Sequence, residues 1–149
     1  MHPPDASHWL YRLTPRAWIQ AALGELDQAR GAFGRRQARA GMAGCRRAAG
    51  VAINGYLASL DSPPDAFGRT YMEHLAALEA LAGVPQAVRE AARSLLAAPL
   101  PGGPVVPLRT PSSDDKALAD AQTVMAWAYA QVLRMEPPEP GGEPPGKAP

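Results

Sequence analysis

Residues 14–33, TPRAWIQAALGELDQARGAF, contain the pattern that decides the fold of this chain. Their apolar side chains recur at steps of three and four residues, which places them on one face of an α-helix. They are Trp18, Ile19, Ala22, Leu23, Leu26, Ala29 and Phe33. Thr14 and Pro15 favour a helix start, because a Thr hydroxyl accepts from an early backbone N–H and proline stands where no donor is needed. The sequence therefore predicts a long first helix that ends near Gly34 and buries this apolar face.

A second amphipathic helix is predicted over residues 42–60. Its apolar positions are Met42, Cys45, Ala49, Ala52, Ile53, Tyr56, Leu57 and Leu60. Glycines at 41, 44, 50 and 55 fall in or beside it, and each costs about 1 kcal/mol relative to alanine inside a helix. Close packing must therefore hold this helix, and its small residues would let another backbone approach. Cys45 lies on the apolar face, so we expect a buried, unreactive thiol.

Three more helices are predicted after an interruption at residues 61–65, DSPPD. Residues 70–73, TYME, form a capping box that opens the third helix, and Gly83 suits its end. Val84-Pro85 restarts the chain into a fourth helix. The prolines from 99 to 111 are too dense for a helix and indicate a long loop, after which residues 112–115 cap a final helix. The apolar positions of the three helices are Leu75, Leu78 and Leu81; Val88, Ala91, Ala92, Leu95 and Leu96; and Leu118, Ala121, Met125, Ala128 and Val132.

The composition indicates one all-α domain. The chain has 149 residues, 46% of them apolar, which is enough for one packed core. We expect residues 1–8 to be a flexible N-terminus, residues 9–134 an up-and-down bundle of about five helices, and residues 135–149 a disordered Pro, Gly and Glu tail. No stretch approaches the roughly 18 uninterrupted apolar residues of a membrane span, and no signal-peptide pattern is present, so we expect a cytoplasmic protein without membrane contact.

The reactive residue types exclude several kinds of site. A single cysteine, Cys45, rules out an internal disulfide and a multi-cysteine zinc site. The acidic residues of the final helix, Asp114, Asp115 and Asp120, are explained by capping and solvation rather than by metal binding. The glycines between 31 and 44 follow no strand, so a phosphate-cradling loop is not supported. We therefore expect neither a metal nor a cofactor.

Charge is nearly balanced over the chain, with 15 basic and 14 acidic residues, but it is unevenly distributed. Between Arg12 and Arg47 there are eight arginines against only Glu25 and Asp27. This segment can be read in two ways: its arginines solvate the outer faces of two helices, or they contact a phosphate-bearing partner.

The order of elements resembles the HEPN domain, a family of small helical bundles found beside nucleotidyltransferases and in RNA-cleaving toxins. Four segments carry the resemblance: the first apolar face, residues 43–52 (AGCRRAAGVA), residues 74–78 (HLAAL), and residues 108–111 (LRTP), where many members have Arg-Tyr-Pro. The likeness covers about residues 8 to 134. It implies a dimer, to which the small residues of the second helix, or Trp127 or Tyr129 of the last, would contribute.

Catalytic members of that family carry an Arg, four to six intervening residues and a His. Arg69 and His74 fit this spacing. Metal-free RNA cleavage needs a proton donor or acceptor, which His provides, and a cation that binds the phosphate, which Arg provides. Within one helix the two side chains would point about 140° apart, so they converge only if Thr70 caps the helix and Arg69 lies outside it. The alternative is that His74 is structural.

Three functional hypotheses follow. The favoured one is a non-catalytic HEPN-like binding module that engages a nucleotide, RNA or a nucleotidyltransferase-like protein, with Arg46, Arg47 and Arg109 as binding residues. The second is a metal-independent endoribonuclease that uses Arg69 and His74. The third is a helical protein-interaction bundle with no nucleotide role.

Overall fold

The computed structural model describes residues 9–97 and 111–137, and the described chain is built from helices. The α-helices are α1 (Pro15–Gly34), α2 (Ala38–Ala58), α3 (Tyr71–Ala80), α4 (Gln86–Ala97) and α5 (Pro111–Met135). Short 3₁₀ helices cover Trp9–Arg12 and Asp65–Phe67, and these described ranges contain no strand. The predicted all-α bundle of five helices is therefore confirmed. The predicted N-terminus, proline-rich loop and most of the predicted tail lie outside the described residues.

α1 and α2 form a close-packed helical hairpin. The Thr14 hydroxyl accepts from the Ala17 N–H at 3.1 Å, which confirms the predicted start of α1. A Cβ at Gly44 would lie 2.8 Å from the Cβ of Ala29, so only glycine fits where the two helices cross. A Cβ at Gly55 would likewise lie 2.9 Å from the Pro15 carbonyl oxygen. The small residues of α2 thus admit the neighbouring α1 backbone of the same chain.

α2 is the central helix of the bundle. It contacts α1, α3, α4 and α5, and 13 of its 21 residues are buried. Cys45 and Ile53 are fully buried, as the sequence predicts. α5 packs against α2 and also touches α1 and α4, which closes the bundle. Trp127 contacts the Tyr56 ring of α2, with ring centroids 4.8 Å apart, so its ring is half-buried within the chain.

Two sequence predictions about helix positions are wrong. Leu23 belongs to the predicted buried face, but 52% of its surface is exposed. It follows the fully buried Ala22 and is rotated from it by about 100°, which carries its side chain past the edge of the core. Pro111 is predicted to lie in the loop, but it is the first residue of α5. Proline, which has no backbone N–H, is tolerated there because the first position of a helix needs no donor.

Candidate functional site

His74 of α3 lies in a closed pocket against α2. Its ring has no exposed surface. Nδ1 lies 2.6 Å from the carbonyl oxygen of Phe67, and Nε2 lies 2.7 Å from Oδ1 of Asn54, which is itself buried. Burial lowers the pKa of His74, and this effect outweighs the Phe67 carbonyl and the charge of Glu73, which raise it. Both ring nitrogens are therefore occupied by neighbours within the chain.

The direction of the hydrogen bond between Nε2 of His74 and the Asn54 amide depends on whether the ring is neutral or charged. A carbonyl oxygen can only accept, so Nδ1 must carry a proton and donate to Phe67. A neutral ring then has a lone pair on Nε2, and the NH₂ group of the Asn54 amide has to face it. A charged ring would instead donate from Nε2 to Oδ1. Because burial lowers the pKa, the ring is neutral at neutral pH, and a 180° turn of the Asn54 amide, which exchanges Oδ1 and Nδ2, then lets its NH₂ donate to Nε2.

The local sequence explains how His74 reaches this position. Thr70 caps α3: its hydroxyl accepts from the Glu73 N–H at 3.1 Å and donates to the Glu73 carboxylate at 3.0 Å. This confirms Thr70 as the N-cap of α3, but the Glu73 carboxylate accepts from the Thr70 hydroxyl rather than from its backbone N–H, so the second bond of the predicted capping box is not formed. Gly68 has a φ of +60°, which returns the chain so that the carbonyl of Phe67 meets the His74 ring. The pocket is thus assembled from residues 67 to 74 and closed by Asn54.

Arg69 and His74 do not share a pocket. Arg69 precedes the cap of α3, as the catalytic hypothesis requires, but it is exposed and lines a surface cleft with Trp9, Pro63 and Asp65. His74 does not line that cleft. The spacing of the two residues in the sequence gives no information about the orientation of α3, which turns His74 towards the core.

The other predicted binding residues already have partners or fall outside the described chain. Arg46 is half-buried and donates from Nε to the Leu95 carbonyl oxygen at 2.7 Å, near the end of α4. Burial lowers its pKa. Arg47 forms an ion pair with Glu25 of α1 at 2.7 Å. Arg109 lies outside the described residues.

A cluster of exposed arginines lies at the turn between α1 and α2. Arg35, Arg36 and Arg39, which we call the hairpin arginines, are all exposed. Within residues 9–97 and 111–137, none of the three has an ion-pair partner. The polar side chains that line an adjacent cleft of about 490 Å³ are Arg35, Arg47, Gln28, Gln37 and Asp27, the last of which is paired with Arg30. The sequence marked this segment as basic but did not distinguish these three arginines from the paired ones.

A second surface feature, the α1–α5 groove, is apolar. It has a volume of about 610 Å³. Its floor and walls are formed by Ile19, Leu23, Leu26, Met125, Ala126 and Tyr129. Arg16 and Arg30 stand at its two ends on α1. The groove could not be predicted from the sequence, because the apolar periodicity of α1 assigns Leu23 to the core.

Comparison with models of known protein families, with curated proteins and with solved structures gives no match to this chain. The resemblance to HEPN domains stays a hypothesis. Among the described residues, no group of three or more His, Cys, Asp or Glu side chains could hold a metal ion. No helix in the described ranges combines the length and the apolar character that crossing a membrane requires.

Proposed function

We propose that this chain is a non-catalytic, HEPN-like binding module whose hairpin arginines bind the phosphate groups of a nucleotide or an RNA strand. The observation that carries the proposal is the cluster of Arg35, Arg36 and Arg39, three exposed cations within five positions and without acidic partners among the described residues. Arginine binds phosphate oxygens through two parallel hydrogen bonds, and exposed side chains adapt to this geometry. The cleft beside them offers the amides of Gln28 and Gln37 for further hydrogen bonds.

The surroundings of His74 support a non-catalytic role. A general acid or base must come within hydrogen-bond distance of the reacting oxygen. His74 has no exposed surface, and both its ring nitrogens contact residues of the chain. RNA could reach it only after α3 separates from α2, which would break the core. The endoribonuclease hypothesis therefore has less support than the binding module.

The resemblance to HEPN domains adds two elements to the proposal. The first is a nucleotidyltransferase-like protein as a partner. The second is self-association into a homodimer. Both are consequences of the resemblance and stay predictions. A cytoplasmic location, which does not come from the resemblance, also stays a prediction.

Binding of a fluorescein-labelled six-nucleotide RNA, followed by anisotropy, tests the proposal. Neutralising about three phosphates on a single strand predicts a loss of affinity of about 20-fold between 50 and 200 mM salt. The variant Arg36→Glu/Arg39→Glu should weaken binding at least about tenfold at low salt. Competition with ATP then shows whether a nucleotide occupies the same site.

The matched control is Arg69→Glu/Arg134→Glu, which makes the same change in net charge at two exposed arginines away from the hairpin. It should leave affinity within about twofold of the wild type. Equal losses in both variants would show non-specific attraction and would refute the proposed site. Cleavage of the RNA in EDTA that His74→Gln abolishes would instead support the endoribonuclease.

A further inference from the structure

The outer face of α1 and α5 carries apolar side chains that residues 9–97 and 111–137 leave uncovered. Leu23 is 52% exposed and Tyr129 is 41% exposed, and both line the α1–α5 groove. Leu133, also largely exposed, follows Tyr129 by four residues and so continues the same face of α5 for one more turn. Contiguous exposed apolar surface of this kind marks a contact with another macromolecule.

The two helices run antiparallel in a fixed register. Arg16, near the start of α1, contacts the Glu136 carboxylate just after α5 through both Nε and Nη2, the latter at 2.9 Å. Because both helices rise about 1.5 Å per residue, Leu23, seven residues after Arg16, lies level with Tyr129, seven residues before Glu136. The apolar pair is therefore at the middle of the groove, and the Arg16–Glu136 pair stands at one end.

We infer that the α1–α5 groove is the contact surface for a second copy of this chain, with the two-fold axis parallel to the groove. In this arrangement α1 of each copy faces α5 of the other. Leu23 then meets the partner's Tyr129, and Tyr129 meets the partner's Leu23. Arg16 lies opposite the partner's Glu136, so the charges at that end of the groove are complementary.

The surface is self-complementary, which a two-fold interface requires, because one patch must fit its own copy. Each helix presents a face about 10 Å wide and about 30 Å long, so the two together offer roughly 600 Å² per copy. The pair would bury roughly 1,200 Å², which is the lower limit for stable, specific interfaces. A moderately stable homodimer is thus the occupant that the dimensions and charges fit.

The homodimer rests on the self-association part of the proposed function but does not depend on anion binding. The test is the molar mass of the full chain at 10 to 200 µM, measured by sedimentation equilibrium. The wild type should be a dimer at the upper concentrations. Leu23→Glu should raise the dissociation constant about a thousandfold, because two buried leucines per dimer are lost.

The matched control is Met72→Glu, which introduces the same charge at an exposed apolar residue of α3. It should dimerise like the wild type. An equimolar mixture of two single variants, Leu23→Cys and Tyr129→Cys, should form a covalent dimer that joins one chain of each kind on mild oxidation, whereas the buried Cys45 of the wild type should not cross-link.

Three outcomes would overturn the inference. The wild type could be monomeric at 200 µM, which would assign the groove to a different protein. Leu23→Glu could remain dimeric, which would place the interface elsewhere. The mixture of Leu23→Cys and Tyr129→Cys chains could fail to cross-link although the wild type dimerises. Binding of the six-nucleotide RNA by Leu23→Glu reports separately on the hairpin arginines, so failure of the dimer and failure of anion binding are distinguishable.

Discussion

Acidification should weaken the folded protein through His74. Burial lowers the pKa of this ring below the value of about 6.5 that it has in the unfolded chain. Between these two pKa values the unfolded state binds a proton that the folded state does not. The stabilising effect of the neutral ring is complete above pH 6.5 and is lost as the pH falls towards the folded-state pKa.

The size of this loss of stability is limited because the His74 ring binds only one proton. A single group changes the free energy of unfolding by at most about 1.4 kcal/mol per pH unit. Urea unfolding at half-unit steps from pH 8 to pH 5 should therefore show a decline that begins near pH 6.5 and steepens towards this limit. Carboxylates that are paired in the folded state also make the free energy of unfolding depend on pH. Arg16, for example, lowers the pKa of Glu136 through a hydrogen bond, so the contribution of Glu136 falls mainly at lower pH.

His74→Gln is the control for this titration, because a glutamine can donate to Phe67 but does not titrate. The variant should be less stable than the wild type at pH 8, and its stability should stay nearly constant from pH 8 to pH 5. The difference between the two curves isolates His74 from the other two histidines of the chain. Parallel curves, or a wild type that gains stability on acidification, would show that the ring is not a buried neutral group.

Two further predictions concern packing. Gly44→Ala should destabilise the protein by about 1 to 3 kcal/mol in urea unfolding, because the new Cβ would stand 2.8 Å from that of Ala29. Gly24→Ala adds the same group where nothing lies within 4 Å and should stabilise by about 0.5 to 1 kcal/mol; equal effects at both positions would contradict the packing of α1 on α2. Ile53→Asp should abolish the cooperative thermal transition seen by circular dichroism, whereas Met72→Asp should preserve it.

Local features of the fold could be predicted because their causes are local. The Thr14 cap, the Thr70 cap and the apolar positions of α2 each depend on residues within one or two turns of a helix. Leu23 could not be placed this way. Its exposure is decided by where α2 and α5 meet α1, and the positions of helices relative to each other are not contained in the periodicity of one helix.

Pairing of the arginines could not be predicted for the same reason. The sequence shows eight arginines from Arg12 to Arg47. Arg46 donates to the carbonyl oxygen of Leu95 in α4, and Arg47 pairs with Glu25 in α1. Both partners are distant in the sequence. Of the eight, Arg35, Arg36 and Arg39 at the tip of the hairpin, and Arg12 over the Trp18 ring, form no ion pair with an acidic residue of the described chain. Likewise, the Arg69–His74 spacing matches a catalytic motif, but the orientation of α3 buries His74, and Arg69, which precedes the helix, is exposed.

The two proposed surfaces have a joint consequence. A two-fold axis parallel to α1 preserves the direction of α1, so the tips of both hairpins lie at the same end of the dimer. Six hairpin arginines would then face one ligand, and a 30-nucleotide RNA that reaches both clusters should bind more tightly than the six-nucleotide RNA, because the second contact is intramolecular. Leu23→Glu should remove this advantage, as measured by anisotropy, while leaving six-nucleotide binding unchanged. If the monomeric variant keeps the full preference for the longer strand, the two clusters do not act together, and the axis is not parallel to the groove.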